Sequence, residues 1–252
     1  MDLGIAGRRA VVTGASQGIG RAVVGLLAQE GVIVAAAARR TELVEGLAHE
    51  VASLGAPGKV TPLAYDLYTD GAPETLAEQA VALLGGVDII MNVVGGARPL
   101  PIDAPREAWE EAMLINYWAA QRLTHGLILQ MCERGWGRVV NFTGTTEPRS
   151  LGGSAPAKSA TQAWSKALSR TVADKGVTVN CIQPGKTHSE QIGRKYRTRE
   201  DEDAEAAALI PIGRFGNPIE PATAAVFLAS ERASFITGVV LPVDGGIRLS
   251  AH

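Results

Sequence analysis

Eight residues near the start of the chain, Thr13-Gly14-Ala15-Ser16-Gln17-Gly18-Ile19-Gly20, have the types and spacing to hold a phosphate. They follow the short β-branched run Arg9–Thr13 and lead into Ile19, Val23, Leu26 and Leu27 at helical spacing. Glycines at such a turn let the backbone bend tightly and approach a pyrophosphate. The free N–H groups of a helix beginning near Gly18 then meet its negative charge. A glycine triplet alone also punctuates ordinary turns, so its place between a strand and a helix is what favours nucleotide binding. The next strand ends Ala35-Ala36-Ala37-Ala38 and runs into Arg39-Arg40. An acidic residue there would take up a ribose 2′-hydroxyl. Alanine cannot, whereas Arg39 can offer a bidentate fork to a 2′-phosphate. The alternative is that Arg39 and Arg40 only solvate the following helix.

A second set of residues could move protons. Ser154 and Lys158 are four apart, which puts them on one helix face. The Ser154 hydroxyl could bond a substrate oxygen or a water. It could equally be a helix N-cap, with Pro156 in the first turn where its missing N–H costs little, and the cap is the favoured reading. A Ser-Lys nucleophile pair finds no oxyanion site to complete it. Asn116, in Met113-Leu-Ile-Asn-Tyr117, sits inside an apolar helix and needs a reason to be there. Thr143 and Thr145 are hydroxyls on either side of Gly144. His188, after Pro184-Gly185, could be a general acid at a site rim or a surface histidine. Tyr117, Tyr196, Glu147 and Glu190 are remoter candidates, and no metal site is expected.

The elements that must position these groups alternate strand and helix. Strands are expected at Arg9–Thr13, 32–37, 60–64, 87–94, 138–143, 177–182 and 239–243. Helices are expected at 18–30, 42–54, 73–84, 109–133, 154–174 and 221–229. Apolar strands separated by amphipathic helices indicate a Rossmann-like, doubly wound parallel sheet: an α/β fold in a single domain over residues 1–252. Residues 186–208, charged and poor in large apolar side chains, read as a lid excursion. Apolar residues make up 46% and charged residues 20%, which excludes a disordered chain. The net charge of −2 gives no argument for nucleic acid or an acidic membrane, and no apolar run is long enough to span a bilayer. Two cysteines, Cys132 and Cys181, far apart in a chain this size, fit a reduced cytoplasmic protein.

The phosphate loop, Asn92-Val93-Val94-Gly95, Asn116, Lys158 with Ser165-Lys166-Ala167-Leu168, Pro184-Gly185 and Val243-Asp244-Gly245-Gly246 together resemble the short-chain dehydrogenase/reductase family from end to end. The resemblance implies a four-part site of Asn, Ser, Tyr and Lys. There Tyr donates the proton, Ser polarises the carbonyl, Asn holds a helix kink and Lys lowers the phenol's pKa from about 10. Asn116 and Lys158 match. Ser154 stands at the Tyr position and Gly144 at the Ser position, and the stretch between Gly144 and Lys158 is shorter than usual. The implied cofactor set is Gly14, Ser16, Gln17, Gly18, Ile19, Gly20, Arg39, Arg40, Asp66 for adenine, Leu67, Asn92, Val93, Lys158 for a ribose, Pro184, Gly185, Thr187 and Ser189. Arg39 matches the arginine of NADP-preferring members, while Gln17 stands where many of them have a second basic residue. NADP(H) is therefore expected, with NAD possible, in a homotetramer or homodimer.

The expected function is an NADP(H)-dependent oxidoreductase acting on a ketone or alcohol through an atypical proton-donor site, in which Thr143, Thr145, Ser154 or His188 could take part. The alternatives are a non-redox enzyme on the same scaffold (a dehydratase, isomerase or cyclase) and a non-catalytic nucleotide-binding protein.

Overall fold

Strand and helix alternate along the chain in a computed structural model that describes residues 2–189 and 198–250. The order is β1 (Arg9–Thr13), α1 (Gly18–Gln29), β2 (Ile33–Ala38), α2 (Thr41–Ser53), β3 (Lys59–Ala64), α3 (Ala72–Leu84), β4 (Ile89–Asn92), α4 (Arg106–Met113), a π turn (Leu114–Trp118), α5 (Ala119–Glu133), β5 (Gly137–Phe142), α6 (Ser154–Val172), β6 (Val177–Pro184), α7 (Arg199–Leu209), α8 (Ile219–Leu228) and β7 (Val240–Val243). The seven strands form one sheet, β3-β2-β1-β4-β5-β6-β7, with every neighbouring pair parallel.

The sheet divides the core in two. On one side Val12, Val34, Ala36 and Met91 pack against α1, α2 and α8 through Val23, Leu27, Val44 and Val226. On the other, Val11, Ala35, Ala37 and Val139 pack against α3, α5 and α6 through Leu76, Leu123, Leu127 and Val172. Strands covered on both faces need apolar side chains at every position, which is why these runs do not alternate. Strand order reverses between β1 and β4, so a crevice opens at the carboxyl ends of these strands.

Two expectations about elements need correction, and a third gains detail. The single helix expected over 109–133 begins at Arg106 and is interrupted by the π turn at Leu114–Trp118, for a reason given below. The excursion expected at 186–208 includes a helix, α7, capped by Thr198, whose Oγ1 accepts from Asp201 N at 3.1 Å, with Glu200, Asp201 and Glu202 in the favourable first turn. Finally, Ser154 is the first residue of α6 and not its cap: Gly153 holds the cap position and no side chain caps that helix. Pro156 does lie in the first turn.

Candidate nucleotide and catalytic site

The turn from β1 to α1 is built for close approach. Gly14 and Gly18 have φ of +70° and +55°, the left-handed region that glycine enters without strain. A Cβ on Gly20 would lie 2.1 Å from the Gly14 carbonyl oxygen, so no side chain fits there. Gly18, by contrast, faces open space, with nothing within 4 Å of where a Cβ would sit. The first helical bond runs from Arg21 N to Gln17 O, and the amides of Gly18, Ile19 and Gly20 precede it. Thr13, the first residue of the run Thr13–Gly20, locks this loop to the end of β4: its Oγ1 accepts from Val93 N (3.1 Å) and Val94 N (3.2 Å). Backbone geometry here suits a pyrophosphate, and these residues would hold it.

At the end of β2, Ala38 is buried while Arg39 and Arg40 are exposed. Arg40 Nη2 donates to Gln17 Oε1, so a guanidinium stands over the phosphate loop. Asp66 closes a turn after β3, its Oδ1 accepting from Tyr68 N at 3.2 Å. Leu67, partly buried, packs against the second core.

Asn92 points inward. Its Nδ2 donates to Asn141 Oδ1 (2.7 Å) and Thr124 Oγ1 (3.0 Å), and Asn141 Nδ2 donates to Ser165 Oγ (2.8 Å). All four residues are buried. This polar chain ties β4 and β5 to α5 and α6 beneath the site, and a satisfied buried network of this kind fixes side chains firmly. The sequence points to Asn92 but not to its partners, which carry no motif.

Asn116 explains the π turn. Its Nδ2 donates to Ala112 O (3.0 Å) and Gly96 O (3.2 Å), and its Oδ1 accepts from Gly96 N (3.0 Å). The side chain thus clamps the segment after β4, while Asn116 O accepts from Thr161 Oγ1 of α6 at 2.8 Å. Widening of the helix at this point frees that carbonyl to reach across. Tyr117 is a packing residue, edge-on to Trp118 and Trp164.

Lys158 lies at the meeting point of β4, β5 and α6. Its Nζ donates to Thr143 O (3.2 Å) and Phe142 O (3.4 Å). A Cβ on Gly95 would lie 2.9 Å from that Nζ, and one on Gly144 would lie 2.9 Å from Lys158 Cδ. Desolvation pulls the ammonium down to about 8.

The structure separates the remaining candidates. Thr143 is buried, and its Oγ1 both donates to Ile182 O (3.2 Å) and accepts from Gln162 Nε2 (3.0 Å), so this hydroxyl is spent within the fold. Thr145 is exposed, and its Oγ1 accepts from Glu147 N in a local turn. The Glu147 carboxylate accepts from Leu249 N and Ser250 N, each at 3.0 Å, and these bonds hold its pKa below the usual range. His188 faces α7: its Nδ1 is 3.0 Å from Glu202 Oε1 and its ring sits against Phe215. Gly185 packs tightly on Asp244, where a Cβ would come within 2.6 Å of Cα. Thr187 Oγ1 donates to Gly185 O at 3.2 Å, and Ser189 is exposed. Glu190 and Tyr196 lie outside the described residues. The loop leading to Ser154 is stitched to the segment after β4: Pro99 pairs with Gly152 and Gly153 N donates to Arg98 O at 2.9 Å. A Cβ on Gly153 would meet Ala112 of α4 at 2.4 Å, so the loop passes this point only as glycine.

A parallel, doubly wound sheet with a glycine-lined turn at its switch point and a lysine–asparagine pair at the ends of β4 and β5 defines a dinucleotide-binding oxidoreductase fold. A family model described as enoyl-(acyl carrier protein) reductase matches residues 14–248, and the chain belongs to the short-chain dehydrogenase/reductase family. It is 34% identical over 250 residues to nodulation protein G of Rhizobium sp. (strain N33), covering 97% of this chain and 98% of that one. It is 33% identical over 245 residues to the 3-oxoacyl-(acyl-carrier-protein) reductase FabG of Escherichia coli (strain K12), covering 96% and 97%. Among solved structures, L-sorbose reductase of Gluconobacter frateurii, complexed with NADPH and L-sorbose, superposes with a TM-score of 0.92 at 30% identity over 99% of this chain and 100% of that one. A 7α-hydroxysteroid dehydrogenase complexed with NADH has a TM-score of 0.89 at 27% identity, covering 97% and 96%. Relatives thus bind either dinucleotide. No helix among the described residues is long and apolar enough to cross a membrane.

Proposed function

We propose that the protein is an NADP(H)-dependent oxidoreductase that interconverts a ketone and an alcohol without a tyrosine proton donor. The observation that carries this reading is the end of β2, where Ala38 is followed by two exposed arginines, Arg40 reaching back to Gln17. Residues 35–40 include no Asp or Glu to repel a 2′-phosphate. Bound nicotinamide would supply the hydride. Gly14, Gly18, Ile19 and Gly20 would receive the pyrophosphate, Arg39 and Arg40 the 2′-phosphate, Asp66 and Leu67 the adenine side, and Pro184, Gly185, Thr187 and Ser189 the nicotinamide side. Asn92 and Asn116 are positioning residues, the first through the buried polar chain and the second through its clamp on Gly96. Thr145, Ser154 and His188 border the substrate side. The assembly expected is a homotetramer or homodimer of a single-domain chain in the cytoplasm.

The test is consumption of NADPH against a panel of ketones and of NADP against the matching alcohols, by absorbance at saturating cofactor. Turnover with at least one carbonyl class is expected. Tight NADPH binding with no turnover on any of them would favour a second reading, a nucleotide-binding protein without redox activity. The specific observation behind that reading is that residue 154 carries no phenol.

A further inference from the structure

The Lys158 side chain runs through the space that a side chain at residue 144 would enter. A Cβ on Gly144 would come within 2.9 Å of Lys158 Cδ, in the middle of the stem. The lysine therefore crosses the place from which a side chain at 144 would project. Its ammonium ends beside Gly95 and Asn116 at the open ends of β4 and β5. By family resemblance that is where a serine would polarise the substrate carbonyl, and one helical turn earlier on α6 a tyrosine would protonate it. Neither is present. Ser154 offers only an alcohol, far less acidic than a phenol.

We propose that Lys158 Nζ is itself the proton donor of carbonyl reduction. This rests on the reading of the chain as an NADPH-dependent reductase. In the forward step, bound reduced nicotinamide would supply the hydride for a new C–H bond at the carbonyl carbon. The C=O π electrons move to oxygen, and oxygen takes one proton from the ammonium. The products are the alcohol, the oxidised nicotinamide and a neutral amine, which solvent reprotonates. In the oxidative direction the neutral amine takes the alcohol proton.

The surroundings suit both protonation states. The groups facing Nζ are the carbonyls of Phe142 and Thr143 from β5, Gly95 after β4 and the neutral amide of Asn116 from the π turn. Gln162 of α6 adds a second neutral amide, spent on Thr143 Oγ1 and Gly144 O. No ionisable group contributes, and desolvation alone brings the ammonium to about 8. A donor near the working pH combines a populated acid form with a favourable transfer. Because the folded value lies below that of a free lysine, the charged form is present below about pH 8 and is lost above it.

Two readouts on the full-length protein test this. The first needs no turnover: ¹³C NMR of ε-labelled lysine across pH, in the parent and in Lys158→Met. One resonance titrating near 8, missing from the variant, is expected. If every lysine titrates near the ordinary value, the assignment is overturned. The second is kinetic. Reduction should fall tenfold per pH unit above about 8. Lys158→Arg should bind NADPH within a few-fold of the parent by fluorescence yet lose roughly 10²–10⁴ in turnover, because a guanidinium does not release its proton. Lys158→Ala should recover activity with ethylammonium and not with tetramethylammonium, which has no proton to give. Full activity in Lys158→Arg, or equal rescue by both ions, would show that the lysine only positions the cofactor, leaving the reductase reading intact. A parent inactive on every carbonyl would instead sink that reading, and the donor role with it.

Discussion

The halves of the site on either side of the switch point have fared differently. In the proposed nucleotide half, β1, α1 and β2, the groups offered are backbone amides in a turn shaped by Gly14, Gly18 and Gly20, with two exposed arginines at the rim. In the proposed catalytic half, β4, β5 and α6, they are individual side chains: Asn116 and Lys158 fit the four-part site that the resemblance implies, while Gly144 and Ser154 stand where that resemblance leads one to expect Ser and Tyr. Binding carried by backbone is inseparable from the fold, so it persists with it. Chemistry carried by one hydroxyl can be exchanged while the buried chain Thr124–Asn92–Asn141–Ser165 underneath continues to hold the strands and helices together.

Substitutions in each half sharpen this contrast. The largest effect is expected from Gly20→Val, since even its first carbon would collide with the Gly14 carbonyl at 2.1 Å. A loss of about 3 kcal/mol in stability or more is expected, with NADPH binding abolished, by thermal unfolding and fluorescence. Survival of tight binding would break the claim that backbone approach carries this half. Next comes Arg39→Ala, which should weaken NADPH by about 2 kcal/mol, the worth of charge-assisted bonds, and leave NADH unchanged. An equal loss for both dinucleotides would mean that Arg39 does not meet the 2′-phosphate.

In the catalytic half, Gly144→Ser introduces the serine that the family resemblance leads one to expect but crowds Lys158 Cδ. Turnover should fall about tenfold with unchanged NADPH affinity, within the range expected for disturbing a positioned acid. A gain in rate would show that the serine had simply been missing. The smallest effect is expected from His188→Ala. It removes a partly exposed pair with Glu202, worth less than about 1 kcal/mol in stability, and should leave the pH dependence of turnover unaltered. A pH profile that loses its limb in this variant would make His188 the donor.

The sheet, its parallel order and the glycine turn are legible in sequence because they rest on local periodicity and on residues that only glycine can be. The π turn is not, since it depends on Asn116 bonding Gly96, twenty residues away, which no helical pattern encodes. Ser154 and the proline that follows it fit a cap by residue type. Gly153, squeezed against Ala112, holds that position instead. Thr143 is a fair candidate by type, but only its contacts with Ile182 and Gln162 reveal that its hydroxyl is spent. Helix α7 does carry a signal, Thr198 followed by three acidic residues within its first turn, that its charge-rich composition obscures. The lysine's course over Gly144 is not readable from spacing, because the absence of a side chain says nothing of what fills the space.

The most direct test of the nucleotide half's integrity beside an altered catalytic half is the ratio of NADPH to NADH dissociation constants for the unmodified protein, measured by fluorescence titration. NADPH should bind at least about tenfold more tightly, the equivalent of one charge-assisted contact to the 2′-phosphate. Equal affinity, tighter NADH, or binding of neither would contradict it.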